Sequence, residues 1–379
     1  MGKTSEGPAV QSTFPQTKGL ASPRLRSLNT SVIDQSFTVS RELLRLRASA
    51  QEEFHERAAA ATRIEFGRKV FVRAVVEVSN YCRENCVYCG MRRDNKSLAR
   101  QRANVEQIAA LLIKQRPESI TDVNIQTGED PVVVREVVIP LLQLLRRETN
   151  LGLSVCLGSL NPALYAELQA AGATTYIIKF EIGDRAEYAA LLAPGTQDER
   201  LEHIRHLAAT GWNVSSGFIA GLPGQTEEQM LENFAVATAL PLRGCSVSPF
   251  IPGEATPVAS AATGDIDLTL NAMAALRLLR PDWVIPAVSA LNLAEPGSGY
   301  RRGLRTGANL ATINMTPGDL REDYLLYKRD RFIMTEERIL GAIEAEGLTP
   351  STQSLEQFFR TKAVDETSRV PVLAEAKAA

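Results

Sequence analysis

The stretch NYCRENCVYCGMRRDN, residues 80–95, holds three of the chain's five cysteines, Cys82, Cys86 and Cys89, in a Cys-x3-Cys-x2-Cys spacing. Thiols this dense read as a metal-binding or redox element. Structural zinc takes four closed ligands, commonly as paired Cys-x2-Cys or Cys/His groups. The three histidines, His55, His203 and His206, fall in predicted helices, and Cys156 and Cys245 have no pairing motif beside them. An electron-transfer cluster needs a fourth thiolate, and none is evident. Three thiolates on a short loop suit a cubane 4Fe-4S cluster held at three corners, with one iron open to a small chelating ligand. Zinc and a four-thiolate cluster are the alternatives.

Such a loop must be carried by something rigid. After two helical stretches within 36–66, short β-branched runs recur at 72–79, 120–127, 152–158, 174–182, 214–222, 244–252, 282–291 and 308–315. Amphipathic segments separate them, and several end in glycine. Alternating βα units with right-handed crossovers require a parallel sheet, and eight of them predict an α/β fold of the (β/α)8 TIM-barrel type. We expect the barrel over 67–346, with an N-terminal helical layer at 36–66 and a last helix near 318–346. Residues 1–35 are expected as a disordered tail and 347–379 as a weakly ordered one. An open doubly wound sheet is the alternative. In a barrel, reacting groups gather at the carboxyl ends of the strands. The cysteine loop, QTGEDP, KFE, GLPGQT, PFIPGEATP and NMTP all leave predicted strands at that end.

The bulk numbers narrow the class. The chain has 379 residues, 44% of them hydrophobic, enough for a large core. With 42 basic and 44 acidic side chains the net charge is −2, so no global field recruits nucleic acid or an anionic membrane surface. No apolar run approaches the ~18 residues of a membrane span. Residues 1–30 carry four basic residues against one acid, Glu6, without a signal-peptide core; a transit peptide is the alternative to a plain tail. Reduced thiols and these absences point to a soluble cytoplasmic enzyme with neither nucleic-acid nor membrane partners.

The cysteine spacing, with Tyr88 directly before the third cysteine, resembles the signature of the radical S-adenosylmethionine enzymes. VEVSNYCRENCVYCGMRRDN, QTGEDP, SGFIAGLPGQT, PFIPGEATP, IPA at 285–287, GANLATINMTP and REDYLLY resemble the biotin-synthase-like branch over residues 40–327. They are most similar to the HydE-like iron-iron hydrogenase maturases, and next to 3-methylornithine synthase. The resemblance implies a 4Fe-4S cluster, S-adenosyl-L-methionine as cofactor, a small-molecule substrate and an external one-electron reductant of the flavodoxin or ferredoxin type. Cys82, Cys86 and Cys89 would bind the cluster. Tyr88 would lie near the adenine, and Thr127, Gly128 and Glu129 near the methionine amino group. Glu181 would contact the ribose or amino group, and Lys179 and Arg200 the carboxylate. Gly217 to Gly221 would form the element on which the adenine rests. Ordinary packing, a strand-to-helix turn, an internal Lys179–Glu181 bridge and a solvated Arg200 are the alternatives. Arg92, Arg93, Asp94 and Asn95 either tie the loop to the barrel or meet a ligand.

Some residues depart from the pattern. Lys179 stands where arginine is usual, and an ammonium lacks the two-pronged fork of a guanidinium. Ile182 and the segment 328–351 differ as well. The several extra barrel cysteines of a sulfur-inserting biotin synthase are absent; Cys156 and Cys245 read as packed thiols. Arg301, Arg302, Arg305 and Arg321 are candidate anchors for a substrate carboxylate. An amino-acid mutase or lyase of the methylornithine-synthase type, and a non-catalytic iron-sulfur scaffold, are the other functional readings.

Overall fold

The run KVFVRAVVEVS forms β1 (Lys69–Ser79), buried along almost its whole length as an interior strand of a parallel sheet must be. The computed structural model describes residues 37–329 and 333–368; the N-terminal tail expected over 1–35 lies outside them. The further strands are β2 (Asp122–Thr127), β3 (Gly152–Cys156), β4 (Thr175–Ile177), β5 (Asn213–Ala220), β6 (Gly244–Pro249), β7 (Leu310–Asn314) and β8 (Thr349–Pro350). Their order is β6-β5-β4-β3-β2-β1-β7, with β8 added to the start of β1 and every pair parallel. The fold is α/β, a curled half-barrel of parallel strands with helices in the crossovers.

Local chemistry sets the helix starts. Thr196 and Thr226 close capping boxes with Glu199 and Gln229, and Asn161 caps a helix that opens on Pro162. In Ala48–Phe66 the residues Phe54, Ala58 and Phe66 are buried on one face. Gln51 and His55 both reach Asn271, at 3.0 and 2.9 Å, on helix Ile266–Leu279. His203 meets the Tyr165 hydroxyl at 3.0 Å. These two histidines serve packing.

The segment 282–291, expected as a strand, joins its neighbours only through single bridges, Gly244 with Val284 and Pro286 with Leu310. Pro286 has no N–H to offer a ladder, and the chain then turns into helix Ala290–Ala294. The expected strand 174–182 forms a continuous ladder only over Thr175–Ile177 and rejoins β5 at a single bridge, Glu181 with Phe218, where Glu181 adopts a left-handed φ of 64°. The single helix expected near 318–346 is two, Gly318–Glu322 and Glu336–Ala345. Between them Tyr324 and Leu325 turn inward to pack on Met91 of the cysteine loop.

The segment after 347, expected as weakly ordered, carries β8 and the helix Leu355–Ser368. Leu355 and Phe359 pack with Phe66, Phe71, Val284 and Leu310. The Leu355 N–H donates to both carboxylate oxygens of Asp122, at 3.0 and 3.1 Å. Asp122 begins β2 and Leu310 begins β7, so this helix stoppers the amino end of the sheet. Among the described residues no helix is long and apolar enough to cross a membrane.

Candidate active site

The cysteine loop is sewn down mainly by backbone bonds. The Arg83 N–H donates to Glu129 O at 3.1 Å, Val87 N–H to Leu191 O at 3.0 Å and Gly90 N–H to Leu326 O at 3.4 Å. Asn95 Nδ2 donates to Gly90 O at 2.7 Å. Arg92 Nε donates to Asn85 Oδ1 at 3.0 Å, and Asn85 Nδ2 to Asp94 Oδ2 at 2.7 Å. Arg93 pairs with its neighbour Asp94. Residues 92–95 therefore tie the loop. Arg100, which sequence reasoning passed over, does more: its guanidinium donates to the carbonyls of Asn80, Met91 and Arg92 at 2.5, 2.9 and 2.6 Å.

All three cysteines face one cavity of about 350 Å3 at the carboxyl ends of the strands. Tyr88, Thr127, Gly128, Glu129, Lys179, Glu181 and Arg200 line it too, but of the expected adenine element Gly217–Gly221 only Ile219 does. Gly221 has a φ of 77° and a Cβ there would strike Gly264, so its glycine serves a backbone crossing. Gly128 is a second close approach, since a Cβ at this position would run into the Tyr81 carbonyl and crowd Cys82.

Glu129 is the hub of one wall. Its Oε1 accepts from Arg200 Nη2 at 2.9 Å and from the Ser159 N–H at 3.1 Å, and its Oε2 from Arg83 Nη2 at 3.2 Å. Arg200, expected either at a ligand carboxylate or on a solvated face, is buried. It also donates to Ser159 Oγ at 3.0 Å, while its Nε has no partner. In the same cavity Lys179 Nζ lies 2.8 Å from Glu181 Oε2. The contact is an ion pair off the line of a hydrogen bond, and that buried oxygen keeps an unused lone pair. Burial works against the Lys179 charge, but Glu181 and Tyr327 reverse it and raise the pKa above its ordinary value. Glu181 is held in its left-handed conformation from both sides: its N–H donates to Gly217 O at 3.0 Å and its carbonyl accepts from Ile219 N–H at 2.9 Å. Backbone strain of this kind costs about 1–3 kcal/mol and gathers at functional sites.

The candidate carboxylate anchors on the helix Gly299–Arg305 are occupied elsewhere. Arg301 and Arg305 each reach Glu346 at 2.9 Å, and Arg302 pairs with Asp267 and Glu295. Arg321 donates to the Thr316 carbonyl at 3.3 Å and is absent from the cavity lining. Cys245 is a packed thiol with no exposure, but Cys156, read the same way, lines the cavity. Sequence reasoning also missed Arg73, Glu77, Asn124 and Gln126, polar residues on inward faces of β1 and β2. The available signal was a charge at positions two or four apart in strands otherwise made of valine, alanine and isoleucine.

Residues 76–236 match the Radical SAM superfamily. The FeFe hydrogenase maturase subunit HydE of Thermotoga maritima is 34% identical over 264 residues, which cover 69% of this chain and 74% of that protein. The chain belongs to the radical SAM superfamily. A second relative of this radical SAM protein, the 3-methylornithine synthase of Methanosarcina barkeri, is 26% identical over 86% of the chain and 95% of its own length. A solved methylornithine synthase superposes with a TM-score of 0.75 at 22% identity, covering 88% of this chain and 98% of that one, which shows a shared fold.

Superfamily membership implies a 4Fe-4S cluster and S-adenosylmethionine, and the donor set fits them. The three thiols sit at one wall with backbone N–H groups aimed at sulfur: Glu129 N–H lies 3.4 Å from Cys82 Sγ, and Met91 N–H points at Cys89. Such bonds to sulfur stabilise and tune cluster thiolates. Burial pushes Cys89 up to about 12 and Cys86 well above the ordinary thiol range, so only a bound cation would draw their protons off. Among the described residues no three His, Cys, Asp or Glu side chains converge on a point that would hold a single metal ion. In a cubane each cysteine takes a different iron, so its ligands need not converge on one point. Arg200 Nε and Glu181 Oε2, buried in the cavity wall without hydrogen bonds, suit a polar organic ligand.

Proposed function

We propose that the chain is a radical S-adenosylmethionine enzyme acting on a small molecule, of the HydE-like maturase type. The observation that carries the reading is the meeting, in one cavity, of the Cys-x3-Cys-x2-Cys loop with the Glu129–Arg200 and Lys179–Glu181 pairs. A protein that only stored a cluster would need the thiols and neither pair.

Cys82, Cys86 and Cys89 are the cluster ligands. When bound and reduced, the cluster supplies one electron that cleaves S-adenosylmethionine to methionine and a 5'-deoxyadenosyl radical. The backbone carbonyls at Thr127 and Gly128 accept hydrogen bonds from the ammonium of the methionine part. Glu129 positions Arg200 for its carboxylate rather than meeting the ligand with its own side chain. Lys179 shares that carboxylate, and Glu181 takes the ribose or ammonium through its unused oxygen. Tyr88, in the cavity beside Cys86, flanks the adenine. An external flavodoxin or ferredoxin delivers the electron, in the cytoplasm. The single bridges of 284–287 to both sheet edges support a (β/α)8 barrel with one irregular stave.

The coverage by 3-methylornithine synthase favours a second reading, rearrangement of an amino acid. Deuterium transfer from labelled candidates into 5'-deoxyadenosine separates the two. The primary test is anaerobic: reconstituted protein with dithionite and S-adenosylmethionine yields 5'-deoxyadenosine, and Cys86→Ala yields none. Equal yields from both would overturn the site.

A further inference from the structure

One half-buried side chain spans both ends of the cysteine loop. Arg100 donates to the carbonyl of Asn80, before the three thiols in the chain, and to those of Met91 and Arg92, after them. A longer fourth bond, at 3.4 Å, reaches the carbonyl of Asn95. The peptide between Gly90 and Met91 is clamped as well: its carbonyl accepts from Asn95 Nδ2 at 2.7 Å, and its N–H points at Cys89.

The cations around the thiols differ in how their charge is met. Arg83 and Arg200 pair with Glu129, Lys179 with Glu181, Arg93 with Asp94 and Arg102 with Asp130. Arg92 reaches an acid at one remove, through Asn85 to Asp94. All four acceptors of Arg100 are neutral carbonyls, and among the described residues no carboxylate lies within ion-pair distance of it. Its field nevertheless reaches a cluster ligand. Burial chiefly raises the Cys89 pKa, with Cys82 and Glu181 adding to the rise, while the Met91 N–H and the Arg100 charge pull toward the thiolate.

We propose that Arg100 is a positioning residue that also raises the reduction potential of the cluster, because its uncompensated charge, held behind Cys89 by backbone carbonyls, favours the reduced form. Reduction adds negative charge to a group whose potential responds to the charges around it, and a fixed cation beside the thiolates stabilises the reduced form more than the oxidised one. A guanidinium suits the place, since it keeps its charge at every working pH and its fork serves several carbonyls at once. Neutral dipoles hold it without cancelling it as a carboxylate would. The inference rests on the radical function proposed above and adds a residue that governs how readily its cluster accepts an electron.

The test is a redox titration of anaerobically reconstituted protein without S-adenosylmethionine, with the reduced cluster read by electron paramagnetic resonance. Arg100→Gln keeps a donor and removes the charge. At a given poise it should shift the ratio of reduced to oxidised cluster at least about tenfold toward oxidised, a fall in midpoint of about 59 mV for one electron. Arg100→Lys keeps the charge without the fork, and its midpoint should lie closer to wild type than to the glutamine variant. Ala99→Asp, at an exposed position, leaves Arg100 in place and sets an acid beside it. It should lower the midpoint too, and it carries the test if Arg100→Gln holds no cluster. Unchanged midpoints in Arg100→Gln and Ala99→Asp, or equal falls in Arg100→Gln and Arg100→Lys, overturn the proposal. A wild-type cluster that reduces but forms no 5'-deoxyadenosine with S-adenosylmethionine would instead refute the radical function and leave the role of Arg100 standing.

Discussion

Arg200 Nη2 stands 2.9 Å from Glu129 Oε1, with 4% and 7% of the two side chains exposed. The pair joins Glu129, two residues beyond the end of β2, to the helix Gln197–Ala209, and so couples the cysteine loop, bonded to Glu129 through the Arg83 and Glu129 backbone amides, to that helix.

Removing one partner of a buried ion pair strands the other. Arg200→Met should lower stability by roughly 3 kcal/mol, and the double variant with Glu129→Gln should recover part of that loss. Denaturant unfolding of the four proteins measures it. A loss under about 1 kcal/mol in the single variant would rank the pair with exposed ones.

Gly128→Ala tests the close approach of the Thr127–Glu129 turn to the loop. The added methyl must displace the Tyr81 carbonyl and Cys82, so stability should fall by about 1–3 kcal/mol. Iron bound per chain after reconstitution should fall with it. Full iron loading at wild-type stability would remove this turn from the account.

Asp122 gives a pH signature at the other end of the sheet. Burial raises its pKa to about 6, against bonds from Thr121 and the Leu355 N–H that favour the charged form. The folded protein keeps the proton up to that pH, while the unfolded chain releases it near 4. Asp122 therefore contributes stability at low pH that is lost as pH rises from about 4 through 6, by up to about 3 kcal/mol. Asp122→Asn keeps an acceptor for Leu355 and removes the charge. It should be more stable than wild type above pH ~7, with the gap closing below pH ~4; unfolding across that range reads the difference, and a gap independent of pH would contradict the sign.

Phe359 is 8% exposed in the cluster that docks the C-terminal helix. Phe359→Ala should cost about 3 kcal/mol and lower the melting temperature. A change within ~0.5 kcal/mol would mean that the helix is not an integral part of the fold.

The cysteine loop, Tyr88, the Thr127–Glu129 turn and the Lys179–Glu181 alternation were legible because spacing and residue type carry them, and strand counting located seven of the eight expected runs in the sheet, one of them shortened. Other features were not. Arg73 belongs to no motif, and its spacing from Glu77 in an apolar strand shows that the two share a face without telling that this face lines a cavity. Pro286 breaks a ladder inside a sequence whose composition still reads as β. Phe358 and Phe359 stand in a segment of weak amphipathic character, so the docking of the last helix emerges only from the distant Phe66 and Phe71 that receive it. Arg301, Arg302 and Arg305 looked available because their acids, Glu346, Asp267 and Glu295, lie in other segments of the chain.

The helix that seals the amino end has a kinetic corollary. Its apolar seat covers the amino end, so the carboxyl ends, where the three cysteines face the cavity, are the side from which ligands would enter. If a substrate sits deeper than S-adenosylmethionine, it would have to load first, and excess cofactor would then inhibit turnover.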